Sequence, residues 1–121
     1  MGMTMNQGWI GVDLDGTLAF YGGWKGVTDI GEPIPAMLDR VKGWLSEGKT
    51  VKIFTARVHG HGAPLVGGGV EDAITPIQNW CAKHVGQVLE ITNVKDFGMV
   101  ELWDDRCVQV IPNTGRPVCN G

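Results

Sequence analysis

Two carboxylates with a single residue between them, Asp13 and Asp15, close the apolar run Trp9-Ile10-Gly11-Val12 and stand just ahead of Gly16 and Thr17. Like charges at that spacing raise each other's cost unless a cation or a proton resolves the conflict. A second pair, Asp104-Asp105, ends the expected strand Met99–Trp103 and precedes Arg106. A fold that joins the two pairs gathers four negative charges at one place. The natural compensation is a hard cation with oxygen ligands; Mg²⁺ takes one or two carboxylates together with water and substrate phosphate. Without the metal such a cluster repels a phosphate, and with it the charge is offset. Thr55 ends another apolar run and offers a hydroxyl and strand-end N–H groups to a phosphate oxygen. Lys95 adds a cation in a later loop. Together these are parts for phosphoryl transfer. A carboxylate can act as nucleophile through an aspartyl-phosphate, and a second carboxyl can protonate the leaving oxygen and then activate water.

The elements that must hold these residues alternate in type. Strands are expected at Trp9–Val12, Thr50–Thr55, Val88–Ile91, Met99–Trp103 and Cys107–Ile111. A helix is expected from Pro35, a good first helical residue, to Gly48, with Leu38, Val41 and Leu45 on one face. A second spans Val70 to Val85, and Pro76 either kinks it or marks its proper start. Gly22-Gly23, set between aromatic residues, suits a tight turn or hairpin. Strands alternating with helices imply βαβ units, and therefore an α/β, Rossmann-like three-layer sandwich on a mostly parallel sheet of about five strands. Ligands of such sheets lie beyond the carboxyl ends of the strands. Asp13/Asp15, Thr55 and Asp104/Asp105 all fall at those ends.

The 121 residues suffice for one domain, residues 1–121, rather than two. A net charge of −3 with no long basic run gives no support to nucleic acid or an anionic membrane as partner. No apolar stretch approaches the roughly 18 residues of a membrane span. Residues 1–8 lack a basic start and an apolar signal core. The three cysteines, Cys81, Cys107 and Cys119, form no CxxC pair, which argues against a zinc cluster and suits free thiols in a reducing compartment. A cytoplasmic protein is the expectation.

The motifs DLDGT at 13–17, the run ending in Thr55, Lys95, and Trp103-Asp104-Asp105-Arg106 resemble, in order, the four motifs of the haloacid dehalogenase-like (HAD) superfamily. The resemblance covers residues 9 to about 111. It implies Asp13 as nucleophile and metal ligand, and Asp15 as general acid/base with its backbone carbonyl on the metal. It implies Thr55 and Lys95 as catalytic residues that bind the phosphoryl group and steady its charge. Asp104 and Asp105 become acidic metal ligands, with the dominant one of the pair left open. The cofactor implied is Mg²⁺. Asp15 favours the phosphatases of the superfamily, because dehalogenase members lack an acid there. The spans between Thr17 and Thr55 and between Thr55 and Lys95 are filled by core elements, so no cap domain is expected. In the family an uncapped site often goes with large substrates or with closure by a neighbouring subunit in a homo-oligomer.

Other residues have plain readings beside functional ones. Arg57 and Arg106 either contact substrate phosphate or pair with a nearby aspartate. His59 and His61 read as exposed loop residues, Lys83 as solvated, and Trp9, Trp44, Trp80 and Trp103 as core. Trp24 either faces a substrate base or covers its loop. The glycine-rich loop Ala56–Gly69 is the expected place for substrate contacts. The expected function is a Mg²⁺-dependent phosphomonoesterase acting on a phosphorylated substrate, a small molecule before a macromolecule. The alternatives are a catalytically idle domain that binds phosphate or a partner, and an enzyme that removes phosphate from a nucleotide or a nucleic-acid end.

Overall fold

The structure, a computed structural model, describes residues 8–61 and 72–118. Its elements run β1 (Trp9–Val12), α1 (Pro35–Ser46), β2 (Thr50–Phe54), a 3-10 helix (Ala56–His61), α2 (Ile74–His84), β3 (Glu90–Thr92) and β4 (Met99–Trp103). The four strands form one parallel sheet in the order β3-β2-β1-β4. The α/β architecture expected from the alternating pattern is therefore present. β1 is central, and all four of its residues are buried, which is why it carries no polar alternation.

Register fixes which residues share a face. Ile10 lies beside Val51 and Val12 beside Ile53, so these four point the same way. They join Met37 and Val41 of α1 and Ile77, Trp80 and Cys81 of α2 in one core. The opposite face carries Trp9 and Gly11, both buried, and the half-buried Lys52. From the segment that joins β3 to β4, Gly98 lies against the Trp9 indole and Asp96 Oδ1 accepts from its Nε1 at 2.9 Å.

The helix ends follow local chemistry. Pro35 opens α1, where its missing N–H is no loss. Gly48 ends it with φ +84°, and the N–H groups of Gly48 and Lys49 return to the carbonyls of Leu45 and Trp44. α2 starts at Ile74, so Pro76 sits harmlessly in its first turn. Asp72 Oδ1 accepts from the N–H groups of Ile74 and Thr75 and closes that end. Val70 and Glu71, expected in this helix, lie outside the described residues, as do residues 62–69 of the expected glycine-rich loop and Cys119.

Cys107–Ile111 does not extend the sheet. Val110 instead forms a lone antiparallel bridge with Pro117, so the segment folds back on the chain's own tail. Among the described residues no helix is long and apolar enough to cross a membrane.

The strand order also determines where a site can form. The connections from β1 to β2 and from β2 to β3 step outward on one side of β1, whereas the connection after β3 crosses to the other side. The switch point therefore lies between β1 and β4, where a crevice opens beyond the strand ends.

Candidate active site

Asp13 follows β1 and Asp104 follows β4, so the two carboxylate motifs flank the switch point. The pairing shifts register between Trp9 and Ile10 and then runs regularly to the carboxyl ends: Val12 lies beside Trp103, and the Asp13 N–H donates to Trp103 O at 2.9 Å. After Asp13 the chain makes one tight turn. Leu14 and Leu18, both fully buried, anchor it in the core. The N–H groups of Leu18 and Ala19 donate to Leu14 O. With Leu14 committed to the core, the carboxylates on either side of it line the cleft.

Gly16 is required twice over. Its φ is +91°, and a Cβ there would lie 2.5 Å from Asp105 Oδ2. Thr17 then joins the two motifs. Its hydroxyl accepts from the Asp105 N–H at 3.0 Å and has its proton for Asp13 Oδ2 at 3.3 Å or Asp105 Oδ1 at 3.4 Å. Sequence reasoning gave Thr17 no role; its place inside DLDGT was the available signal.

Asp13, Asp104 and Asp105 offer carboxylate oxygens that all lie within 4.8 Å of one another. Burial first, then the charge of Asp104 and contact with Asp105, push the Asp13 carboxyl up to about 7. No cation is among the groups that shift it. The same field reaches Cys107, whose thiol is raised by burial and by Asp104, Asp13 and Asp105. Three hard oxygen donors at this separation, straining against one another, fit a divalent cation such as Mg²⁺.

The cleft has a volume of about 1030 Å³, and Asp13, Asp15, Tyr21, Trp24, Thr55 and Arg57 are among its lining residues. Thr55 is the buried polar residue at the end of β2, 2% exposed. Its N–H is taken by Thr92 O, so of the two donors expected from it the hydroxyl is the one left. Thr55 Oγ1 accepts from the Arg57 N–H at 3.1 Å, and its proton can go to a ligand oxygen.

Asp15 is not in the acidic cluster. Both its oxygens accept from Arg57, Oδ2 from Nε at 2.7 Å and Oδ1 from Nη2 at 2.9 Å. This selects, for Arg57, pairing with an aspartate over direct contact with phosphate. Arg106 also lines the cleft and is exposed, with its N–H on Asp104 Oδ1.

Lys95 is not brought to the cluster: it is exposed and does not line the cleft. The reason is topological. The connection after β3 must return to the start of β4 and cross two strands, so Asn93 stays at the cleft while Asp96 is already beside Trp9. The side-chain positions of His59 and His61 lie outside what is described; their backbone belongs to the 3-10 helix.

No protein-family model matches the chain, and no curated protein matches it. A solved structure, that of a conserved protein coded by a locus from Bacteroides thetaiotaomicron, is similar at 22% identity with a TM-score of 0.59, over 88% of this chain and 82% of that one. At that identity the likeness shows the fold: a small parallel α/β domain is what the two chains share.

Proposed function

We propose that the chain is a phosphomonoesterase that works through phospho-Asp13 and uses Mg²⁺. The observation that carries this reading is the convergence of Asp13, Asp104 and Asp105 at the switch point, with the Thr55 hydroxyl and Asp15 lining the same cleft. Asp13, Asp104 and Asp105 would hold Mg²⁺, which would supply the positive charge that offsets theirs and lets a phosphate approach. An Asp13 oxygen attacks phosphorus and the ester P–O bond breaks. The leaving oxygen takes its proton from the Asp15 carboxyl. Water then attacks the phosphorus of phospho-Asp13, giving its proton to Asp15 and releasing phosphate. Thr55 donates to a phosphoryl oxygen throughout, and Arg106 adds a cation at the rim.

One observation favours the rival reading of a binding domain without turnover. Both oxygens of Asp15 accept from Arg57, so the proposed acid is engaged as it stands.

Phosphate release from 4-nitrophenyl phosphate and a panel of phosphorylated metabolites, with and without Mg²⁺, separates the two. The expected result is Mg²⁺-dependent release that falls by on the order of 10³-fold or more in Asp13→Asn. Release that survives Asp13→Asn removes the nucleophile assignment. Binding of Mg²⁺ and phosphate with no release from any ester leaves the binding domain.

A further inference from the structure

Arg57 is the most completely engaged cation among the described residues. Its side chain is 4% exposed, although it lines an open cleft. Nε and Nη2 form a fork on the two oxygens of Asp15. Nη1 donates to Val27 O at 3.1 Å, and Nη2 also donates to Asp29 O at 2.8 Å. The guanidinium carbon lies 4.8 Å from the centre of the Trp24 ring. Arg57 thus ties the carboxylate after β1, the start of the 3-10 helix after β2, and the loop 20–32 into one unit.

We infer that Arg57 is the positioning residue for the Asp15 carboxyl. The inference rests on the phosphatase reading above and assigns how its acid is held and freed. A carboxyl that takes up a proton on one oxygen gives up part of that oxygen's accepting capacity, so one of the two bonds loosens when the acid is loaded. The two are not equivalent. Nη2 also holds Asp29 O, so it stays bonded when Oδ1 leaves it. The Nε bond to Oδ2 is the shorter and has no alternative acceptor among the described residues. It serves as the pivot, with Oδ1 as the oxygen released to the leaving group. The carbonyls of Val27 and Asp29 hold the guanidinium in place, so loop 20–32 sets the direction of the acid. Lysine lacks the planar fork and cannot reproduce this two-point grip.

The test compares two esters of unequal leaving group, 4-nitrophenyl phosphate and 2-phenylethyl phosphate. A good leaving group needs little help from an acid, whereas an alkoxide needs it fully. Expected for Arg57→Gln is a fall of roughly 10²-fold on the alkyl ester and of less than about 10-fold on the aryl ester, the pattern of Asp15→Asn. Arg57→Lys, which keeps the buried charge and guards against misfolding, should show the same selectivity in smaller measure. In an Asp15→Asn background, Arg57→Gln should add no more than about twofold, because the two act as one unit. Equal losses on both esters, or losses that multiply with Asp15→Asn, overturn the positioning role and leave Arg57 as loop support. A wild-type protein that releases phosphate from neither ester overturns the phosphatase reading and this role with it. A wild type active on both whose Arg57 variants show no selectivity overturns this inference alone.

Discussion

Asp13 is the residue at which the cost of the site concentrates. Burial and two neighbouring carboxylates lift it to about 7, against 3.8 for an unperturbed aspartate. The sign of the consequence follows from linkage. Between about 4 and about 7 the folded chain keeps a proton that the unfolded chain has released. Metal-free protein therefore loses stability as pH rises through that window, and above about 7 the loss is complete. Urea unfolding in EDTA should show this slope. Asp13→Asn, which cannot ionise, should flatten it and unfold at higher urea than wild type at pH 8, while matching it near pH 4. Mg²⁺ should stabilise the wild type far more at pH 8 than at pH 5. A flat wild-type profile would mean that the three carboxylates do not repel one another as their spacing implies. The exchange of stability for a charged site is common where chemistry is done.

At the scale of elements, α2 reaches the site through the loop it braces. Trp80, 7% exposed, sits in the core and donates from Nε1 to Gly31 O at 2.9 Å. Gly31 closes the loop that supplies the Val27 and Asp29 carbonyls to Arg57. Trp80→Phe should cost about 1 kcal/mol of stability through that lost bond, with some further loss of packing. It should loosen Asp15 while sparing metal affinity, since Asp13, Asp104 and Asp105 are held by β1 and β4. Paired urea unfolding and Mg²⁺ titrations check this; a matching fall in Mg²⁺ affinity would show that the loop supports the cluster as well. The strands that frame the cluster were legible in the sequence, because β1 is an apolar run and β4 a mostly apolar one, each stopped by carboxylates. Asp13, Asp15, Thr55, Asp104 and Asp105 could be found for the same reason: each marks a strand end, and a parallel sheet collects such ends. What could not be read depends on the path of the chain in space. Cys107–Ile111 has the composition of a strand but pairs with its own tail. Lys95 follows a strand as the others do, but its connection runs back beneath the sheet. The Arg57–Asp15 fork joins residues 42 apart in sequence, and no local pattern specifies such a pair.

The whole molecule combines a net charge of −3 with a single switch point at which carboxylates meet. On the proposed reading the cleft repels anions until a cation is bound, and binding of the two should be tightly coupled. Orthovanadate, a phosphate-like anion, should raise the melting temperature only when Mg²⁺ is present. At 100 times its dissociation constant the stabilisation should be about 2.7 kcal/mol. Reciprocity requires vanadate to tighten Mg²⁺ binding by the same factor that Mg²⁺ tightens vanadate binding. Asp104→Asn should weaken both together, whereas Arg106→Ala should weaken vanadate alone, because Arg106 lines the cleft outside the acidic group. Salt distinguishes this arrangement from a charged surface. An anion held inside a cleft by a bound cation is screened less than one held by exposed side chains, so added KCl should lower vanadate affinity only modestly. A nucleic-acid end bound through several backbone phosphates would instead lose affinity steeply with salt. Vanadate binding that is equally strong without Mg²⁺ would place the anion on Arg106 and the cleft rim rather than at Asp13, and the acidic cluster would then have to be explained as something other than a metal site.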